Sequence, residues 1–456
     1  MQQKSSGSVY NALDSAKMKG IHYKITALSA MGVFLDGFDI SIISVALLLL
    51  KTIPSFDLSS PANLGLLAAS TVIGMLIGAV SIGYITDIYG RRLMYLWDMV
   101  IFIVFTALTA VSVNFIQMFT FRLLLGIGIG ADYAISTTII AEFSPKNKRG
   151  RLLSFNVLAW WIGYAAAFII GYALLPLGTQ AFRYMFAVGI IPAIIVLFWR
   201  RTIPESPRWL ASHGKSEEAR KVERFVVGRS DSLSAKKVKT NFLRLFDRRY
   251  IKATLFVAIF WFSYDVAFYG IGIFTPTILT VLGFTKSYAV LSSAVFAGFA
   301  IIGGVLAVLL VEKAGRKLLN SLGFLGMLIA MFTLFYFTPI GVAIGKPVVA
   351  VSGVLIVSMF ILFEVTQTLG PGTMDFVYPQ ELYPTSLRAT GQGLGTSISR
   401  VGAILGITTF PLIASQLGVK YSMLFFGIFA LIGLLATLIL APETKGKSLE
   451  ELTGKQ

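Results

Sequence analysis

The stretch Phe34-Leu35-Asp36-Gly37-Phe38-Asp39-Ile40 places two carboxylates inside an apolar run that extends from about residue 25 to residue 50. A run of this length can cross a bilayer as a helix, which needs about 20 residues. Each carboxylate inside such a helix costs about 2.5–3.5 kcal/mol on insertion scales. Because Asp36 and Asp39 are three residues apart, they share one helical face. We therefore expect that face to turn towards a water-filled cavity, with the rest of the chain as its wall.

The composition indicates a membrane protein. Of the 456 residues, 56% are hydrophobic and only 13% are charged, and the mean hydropathy is +0.78. A soluble protein usually has about 25% charged residues. The 43 glycines favour helices that pack closely through small residues. The chain has no cysteine, which excludes disulfides and thiolate metal sites. We therefore predict an all-α, polytopic membrane protein without a metal site.

Apolar segments recur along the chain and predict twelve transmembrane helices. They lie near 25–50, 63–86, 93–112, 116–142, 152–175, 182–199, 252–282, 288–311, 318–338, 347–376, 389–415 and 420–441. The polar segment between the sixth and seventh is too short for a catalytic domain and is predicted to form linker helices. The predicted organisation is an N-terminal segment (1–24), a six-helix bundle (25–199), a linker (200–250), a second six-helix bundle (251–441) and a tail (442–456).

Basic residues concentrate in alternate loops. One set of loops contains Arg91 and Arg92, Lys146 to Arg151, the 200–250 segment and residues 313–317, whereas the other set contains only scattered charges. The positive-inside rule assigns the first set of loops, and both termini, to the cytoplasm. We expect the membrane to be the plasma membrane. This topology explains most of the net charge of +17 without nucleic acid as a partner.

Three charged motifs occur twice, once in each half of the chain. Asp87-x-x-Gly90-Arg91-Arg92 corresponds to Glu312-x-x-Gly315-Arg316-Lys317, Glu142-x-x-Pro145-x-x-x-Arg149 to Glu381-x-x-Pro384-x-x-x-Arg388, and Pro204-Glu205-Ser206 to Pro442-Glu443-Thr444. The offsets are all roughly 225–240 residues, which indicates an internal duplication.

Each of these motifs lies at a predicted cytoplasmic helix end. Acidic and basic side chains there can pair with each other and with the helix dipole, and such pairs can hold the cytoplasmic side closed and then release it. The alternative is a topology signal made of solvated charges. The predicted cytoplasmic gate comprises Asp87, Arg91, Arg92, Glu142, Arg149, Glu205, Arg208, Glu312, Arg316, Glu381, Arg388 and Glu443.

The sequence resembles the major facilitator superfamily over nearly its whole length. The motifs that carry the resemblance are Gly83-x-x-x-Asp87-x-x-Gly90-Arg91-Arg92, Pro204-Glu205-Ser206-Pro207-Arg208-Trp209-Leu210 and Pro442-Glu443-Thr444-Lys445-Gly446. The last two are similar to the sugar-porter branch and its relatives, which include phosphate symporters and organic-ion transporters. The resemblance implies two pseudo-symmetric six-helix bundles around a midplane site, with alternating access by rocking.

The resemblance also suggests which residues couple transport to protons. Gly37-Phe38-Asp39 is similar to the first-helix motif of proton-coupled sugar porters, in which the Asp is the proton site, and Arg122 matches the fourth-helix Arg that pairs with it. Asp132 and Tyr133 in Gly-x-Asp-Tyr resemble the phosphate-symporter branch. The predicted proton-coupling residues are Asp36, Asp39, Arg122 and Asp132. A static buried ion pair that holds two helices together is the alternative.

The seventh predicted span carries Trp261, Asp265 and Tyr269 on one stripe, at i, i+4 and i+8. This stripe again resembles phosphate symporters, where such positions contact substrate or proton. Trp160 and Gly372 replace the Gln and Asn expected of that branch. The sugar-porter pattern is incomplete too, since Met374-Asp375 stands where a sugar-stacking Trp is usual. Ordinary helix packing is the alternative for the stripe.

Arg400 lies well inside the eleventh predicted span, where a cation is a functional hypothesis by default. It matches a Lys or Arg of phosphate and organic-anion transporters, and a guanidinium can hold a carboxylate or phosphate through two hydrogen bonds. Pairing with Asp265, Glu364 or Asp375 is the alternative. The predicted substrate-binding residues are Tyr133, Trp160, Trp261, Asp265, Tyr269, Gln367, Asp375 and Arg400.

The sequence therefore predicts a secondary active transporter that moves a small hydrophilic solute together with protons. An anion, either an organic acid or phosphate, is favoured, and a sugar or polyol is the second candidate. A transporter-derived solute sensor is the alternative from another class, whereas no constellation typical of an enzyme is found. We expect a monomer in the lipid bilayer that needs no cofactor, with the proton gradient as its driving force.

Overall fold

The computed structural model describes residue 13 and residues 16–145, 148–229, 242–340, 352–383 and 385–445. Helix is the regular secondary structure of this part of the chain, which confirms the predicted all-α class. The helices of the first half are α1 (Gly20–Leu50), α2 (Pro61–Tyr89), α3 (Arg91–Val111), α4 (Phe115–Phe143), α5 (Arg149–Leu174), α6 (Ala181–Ala187) and α7 (Ile190–Arg200).

Two short helices follow, and the second half then repeats the pattern of long helices. The two short helices are α8 (Pro207–Ser212) and α9 (Ser216–Val227). The helices of the second half are α10 (Ile251–Val281), α11 (Lys286–Ala314), α12 (Arg316–Phe337), α13 (Gly353–Leu369), α14 (Pro371–Leu382), α15 (Thr385–Gln416) and α16 (Val419–Leu440). In the described residues, 11 segments are long and apolar enough to cross a membrane. One of them, Phe155–Arg200, spans 46 residues and covers most of the fifth and all of the sixth predicted span, so the structure is consistent with twelve crossings.

Within each half, long helices pack in pairs at short range. In the first half α2 packs on α4 and α1 on α5, and in the second half α10 packs on α15 and α12 on α16. Gly126 of α4 faces the backbone oxygen of Thr71 in α2, and Gly130 faces that of Met75. A Cβ atom at either glycine would lie closer to those oxygens than real Cβ atoms approach. The glycine run of α4 is therefore required for close helix packing.

Among the described residues, the two halves meet most extensively along three helix pairs. These are α2 with α15, α5 with α11 and α1 with α10. Gly65, near the start of α2, lies against the backbone of Thr408 in α15. Because Gly65 is near the end of α2 that is remote from Arg91, this contact lies towards the face opposite the charged motifs. We call the face that contains Arg91 and Arg316 the basic face.

The tenth predicted span is a broken helix. It consists of α13 and α14, which are separated at Gly370, where φ is −105° and ψ is −106°. Pro371 follows and begins α14. Gly370 lies against Gly323 of α12, and a Cβ atom there would meet the Cα atom of that glycine at 2.6 Å. Broken helices of this kind bring polar side chains and free backbone groups to the centre of transporter folds.

The linker packs on the basic face of the first half. Val226 of α9 is fully buried in an apolar cluster with Ile139 and Phe143 of α4, and with Leu13 from the N-terminal segment. Helix α9 is amphipathic, and Ala219 and Val226 form its buried side. The described linker residues up to Val226 thus pack on the first half, whereas the segment Phe242–Phe246 contacts α10 and α15 of the second half.

Candidate functional site

Asp39 and Arg122 form a buried ion pair between α1 and α4. The Nη1 atom of Arg122 lies 3.4 Å from Oδ2 of Asp39, and Nη2 donates to the backbone oxygen of Asp39 at 3.3 Å. The guanidinium carbon lies 5.1 Å from the centroid of the Phe186 ring. Both side chains are sealed from solvent. The structure thus joins two of the predicted proton-coupling residues, and the partner that the resemblance implied for Asp39 is the one observed.

A second buried charge cluster lies nearer the basic face and centres on Arg200, the last residue of α7. Its Nη1 donates to Asp98 at 2.9 Å, and its Nη2 donates to Asp132 at 3.0 Å. The guanidinium also stacks over the ring of Tyr95 at 3.6 Å and donates to the backbone oxygen of that residue. Arg200 therefore ties α7 to α3 and α4 in the interior of the first half.

Asp36 belongs to the same cluster. It is buried and faces the charges of Asp132, Asp98 and Arg200. Gly32, one turn earlier in α1, lies directly against the Arg200 guanidinium and leaves no room for a Cβ atom. Three carboxylates then share one guanidinium, so full ionisation would leave two uncompensated negative charges in a dry interior. Such charges are too costly to persist without protons or counter-ions.

The expectation that Asp36 and Asp39 border open water is wrong for this conformation. The two residues are 2% and 1% exposed, respectively, because α4 and α5 pack over their face of α1. They share that face, as predicted, but Asp39 pairs with Arg122 whereas Asp36 joins the Arg200 cluster. Neither carboxylate faces lipid.

Arg400 of α15 contacts two predicted substrate-binding residues of α10. Its Nη1 donates to the Tyr269 hydroxyl at 2.7 Å and lies 3.5 Å from Oδ2 of Asp265. The guanidinium also lies over the ring of Tyr133, a residue of α4 in the other half, at 5.5 Å from its centroid. The alternative pairing with Asp265 is therefore observed, but it is a long contact between single atoms rather than a bidentate pair.

Helix α13 contributes a second polar cluster. Nε2 of Gln367 donates to Glu364 at 2.8 Å, and the Tyr264 hydroxyl of α10 donates to the amide oxygen of Gln367 at 2.6 Å. The hydroxyl of Tyr164, from α5 in the other half, donates to Glu364 at 3.5 Å. All four side chains are buried, so this chain of hydrogen bonds links the broken helix to both halves.

A small cavity lies between these clusters. Its lining includes Ser41 and Ser44 of α1, Trp160 and Tyr164 of α5, and Phe268, Tyr269, Gly272 and Ile273 of α10. Its volume is about 10 Å³, which is roughly the space for one water molecule. The two halves are therefore closed on each other at this level, and a solute can enter only after they separate.

Of the predicted substrate-binding residues Trp160, Asp375 and Trp261, Trp160 lines this cavity and the other two do not. Trp160 forms its aromatic wall and stacks on Tyr164 with ring centroids 5.7 Å apart. Asp375 of α14 is buried and faces the charges of Asp265 and Arg400. Trp261, by contrast, packs against Phe376 and against Gly395 of α15. It shares the predicted stripe, but its contacts are those of helix packing.

On the basic face of the first half, Glu205 caps the start of α3. Its carboxylate accepts from the backbone N–H groups of Arg91 at 3.0 Å and of Arg92 at 3.1 Å. Gly90 has a φ of +102°, which permits the sharp turn before α3. Arg91 also lies 3.6 Å from Glu142. Burial raises the pKa of Glu142, whereas the nearby Arg91 and Arg208 oppose that rise.

The second half repeats this arrangement. Glu443 accepts from the backbone N–H groups of Arg316 at 3.0 Å and of Lys317 at 3.1 Å, after Gly315 with a φ of +93°. The Arg316 side chain pairs with Glu312 at 2.7 Å and with Glu381 at 2.9 Å. Burial by itself raises the pKa of Glu443, but the backbone donors, including that of Lys445, hold it below its usual range.

The predicted gate residues thus form two matching clusters, one in each half. The contacts described above join residues within a half, and Glu205 and Glu443 cap the helix that follows each charged turn. The side chains of Asp87, Arg149 and Arg388 lie outside the described part of the structure, so their predicted gate roles stay predictions.

Sequence reasoning missed several residues of the site. Arg200 is the clearest example, because a cation at the end of an apolar run usually indicates only the cytoplasmic end of a transmembrane helix. Its signal was the adjacent Trp199-Arg200-Arg201, in which one of two arginines could turn inwards. The sequence did not distinguish Tyr164 and Tyr264 from its many other aromatic residues. Their hydrogen bonds to Glu364 and Gln367 of α13 identify them as part of the site.

The chain is similar in sequence to known membrane transporters. A model of the sugar (and other) transporter family matches residues 25–455. The putative metabolite transport protein YaaU of Escherichia coli strain K12 is 32% identical over 440 residues, which cover 96% of this chain and 96% of that protein. The arabinose-proton symporter of Bacillus subtilis strain 168 is 29% identical over 448 residues and covers 94% and 93% of the two chains.

The chain is also similar to a plant phosphate transporter in sequence and to a bacterial xylose transporter in structure. The probable inorganic phosphate transporter 1-6 of Arabidopsis thaliana is 28% identical over 518 aligned positions, covering 100% of this chain and 98% of that protein. A partially occluded, inward open structure of the xylose transporter XylE from E. coli superimposes with a TM-score of 0.76. It is 24% identical and covers 94% of this chain and 100% of that one, so it shows the shared fold.

Proposed function

The chain belongs to the family of sugar (and other) transporters, and from that premise we propose that it carries a small anion across the membrane together with a proton. The family membership confirms the resemblance to the major facilitator superfamily, and the relatives are membrane transporters rather than enzymes. The proposal concerns the identity of the solute, the coupling of its transport to protons and the orientation of the protein in the membrane. In this orientation the basic face is cytoplasmic.

The observation that carries the proposal is the contact of Arg400 with Asp265 and Tyr269. A buried guanidinium is a strong recognition group for a carboxylate or phosphate. In this conformation Asp265, 3.5 Å away, competes for it. Protonation of Asp265 would remove that competition and leave the guanidinium free for an anion. A proton and an anion would then bind better together than either alone, which is the thermodynamic requirement of symport.

The buried acids of the first half offer sites for the transported proton. Asp39 faces one cation, Arg122, and the Arg200 cluster contains three carboxylates around one cation. A proton that leaves either group changes the charge buried between α1 and α4, two helices that also border the other half through Tyr133 and the cavity. Rocking of the two halves would expose these groups to one side of the membrane at a time.

A sugar or polyol is the second candidate solute, because part of the site suits neutral hydroxyl groups. Trp160 and Tyr164 provide an aromatic wall, and Gln367 and Tyr264 provide an amide and a hydroxyl. Among the relatives, the B. subtilis protein is named an arabinose-proton symporter and the A. thaliana protein a probable inorganic phosphate transporter. These names are compatible with either candidate.

Purified protein in proteoliposomes tests the proposal. Uptake is measured with phosphate, simple carboxylates, sugars and polyols as substrates or competitors, with and without an acidic outer medium. We expect anions to be taken up, uptake to rise with the inward proton gradient, and a protonophore to abolish that rise. Competition by sugars alone would favour the second candidate. Solute binding without any uptake would instead support a transporter-derived sensor.

A further inference from the structure

Glu364 is a buried carboxyl group without a cationic partner in the described structure. Its polar contacts are the amide of Gln367 at 2.8 Å and the hydroxyl of Tyr164 at 3.5 Å, both of which are neutral donors. It is 1% exposed. Ionised, such a group is poorly compensated, and a cation that entered the site would therefore be held strongly. In this respect Glu364 differs from Asp265 and Asp39, each of which has an arginine.

Aromatic rings pack around Tyr164, whose hydroxyl donates to this carboxyl group. Trp160 and Tyr164 stack with an interplanar angle of 14°, and Phe268 lies 6.0 Å from Trp160. Tyr264 stacks on Phe268 at 5.5 Å. Trp160, Tyr164 and Phe268 also line the central cavity. Ring faces attract cations, most strongly where water is excluded, and groups of such rings bind quaternary ammonium ions.

Two residues that line the cavity are hydrogen-bonded to this carboxyl group and to the guanidinium of the opposite charge, respectively. They are Tyr164 and Tyr269. The Tyr164 hydroxyl donates to Glu364, whereas the Tyr269 hydroxyl accepts from Arg400. The two tyrosines thus mark an acidic and a basic end of one site, with Phe268 between them in contact with both rings.

We infer that the transported solute is dipolar, with a carboxylate that binds Arg400 and an ammonium group, methylated or protonated, that binds Glu364 and the aromatic wall. This inference rests on one part of the proposed function, namely that Arg400 holds an anionic group of the solute, and it replaces a solute of net negative charge with a zwitterion. It adds the second charge and hence the substrate class, an amino or betaine-type carboxylic acid. At about 10 Å³ the cavity excludes such a solute in the present conformation, so binding must accompany opening of the site.

Isosteric pairs of probes test the inference directly. Glycine betaine and 3,3-dimethylbutanoate have the same shape, but the first has a positively charged quaternary nitrogen where the second has a neutral quaternary carbon. Longer pairs have one to three additional methylene groups between this atom and the carboxylate. Dissociation constants are measured from ligand-induced thermal stabilisation of the purified protein. We expect at least one ammonium probe to bind about tenfold more tightly than its carbon isostere, as an added ion pair of ordinary strength gives.

A variant then identifies the group responsible. In E364Q the preference for the ammonium probe should fall to less than about twofold, whereas E218Q, at an exposed position of α9, should retain it. Equal binding within every pair in the wild-type protein, or a preference that persists in E364Q, would overturn the inference. The wild-type comparison decides the question even if E364Q does not fold.

The outcomes separate the inference from the proposed function. If simple carboxylates bind but the ammonium group adds nothing, the inference fails and anion transport stands. If no carboxylate of either kind binds while sugars do, both fail. Binding of tetramethylammonium with no contribution from a carboxylate would show a cation site and would likewise overturn the dipolar solute.

Discussion

Asp39 and Arg122 face each other across α1 and α4 at 3.4 Å, and each is sealed from solvent by the helices around it. In this pair one carboxylate meets one guanidinium, whereas Arg200 is shared by Asp98 and Asp132. The pair of Asp39 and Arg122 therefore offers the cleanest test of where the proposed proton binds.

Asp39→Asn should abolish uptake driven by a pH gradient while leaving solute exchange. The amide keeps the size of the side chain but cannot gain or lose a proton at the pH of the assay. Uptake and counterflow are compared in the same proteoliposomes. Asp57→Asn is the matched control, because Asp57 is exposed and adopts a φ of 47°, a conformation that Asn tolerates. Normal gradient-driven uptake by Asp39→Asn would refute a proton site there.

Arg400→Ala should weaken an anionic solute far more than a neutral sugar. Hydrogen bonds to a charged group contribute about 1.5–3 kcal/mol each, which corresponds to about 10- to 100-fold in affinity. Lys286→Ala, at the exposed start of α11 in the same half, serves as the control. Inhibition constants for phosphate, a carboxylate and a sugar are measured side by side. Equal losses for charged and neutral competitors would contradict the anion assignment.

Arg200→Gln should destabilise the protein strongly, by about 3–5 kcal/mol, because it leaves buried carboxylates without their cation. Adding Asp98→Asn to that variant should restore part of the loss, since one of those charges is then removed. Thermal unfolding midpoints of the single and double variants provide the measurement. Arg201→Gln, the exposed neighbour, should change little. Additive losses in the double variant would argue against a shared charge cluster.

Glu443→Ala should lower stability by less than about 1 kcal/mol, because the carboxylate caps α12 at a partly exposed position. Since the pKa of Glu443 is lower in the folded protein than in the unfolded chain, its contribution is present above the unfolded pKa and is lost as the pH falls through the folded pKa. The difference in thermal midpoint between wild type and variant should therefore shrink at acid pH. A difference that is constant with pH would show that the charge is irrelevant.

Gly126→Val should destabilise the first half by about 1–3 kcal/mol, as overpacking usually does. The added side chain would push α4 away from the backbone of Thr71 in α2. Gly298→Val provides the comparison, because no atom lies within 4 Å of the position its Cβ would take. Thermal midpoints of the two variants in the same detergent are compared, and similar values would contradict close packing at Gly126.

Much of the fold could be predicted because the bilayer imposes simple rules on sequence. The predicted spans coincide with the helices to within several residues, although α1 begins at Gly20 and α15 at Thr385, before the predicted limits. The duplication was visible in the charged motifs, and the caps made by Glu205 and Glu443 reproduce it in atomic detail. The residue spacing within each motif was sufficient to reveal the duplication, whereas the caps themselves join residues that are 114 and 127 positions apart in the sequence.

The sequence by itself determined that the chain is a helical membrane protein with acids and arginines in its spans, because apolar length and the cost of intramembrane charge can be read residue by residue. The prediction of a transporter came from the motifs that resemble the major facilitator superfamily. Only the tertiary structure decided which charges meet. Arg400 had three possible acidic partners and contacts Asp265, whereas Glu364 is held by neutral groups. Arg200 turned inwards to Asp98 and Asp132 rather than outwards like Arg201. Such pairings depend on how helices distant in sequence cross and rotate against one another, and no local pattern encodes that.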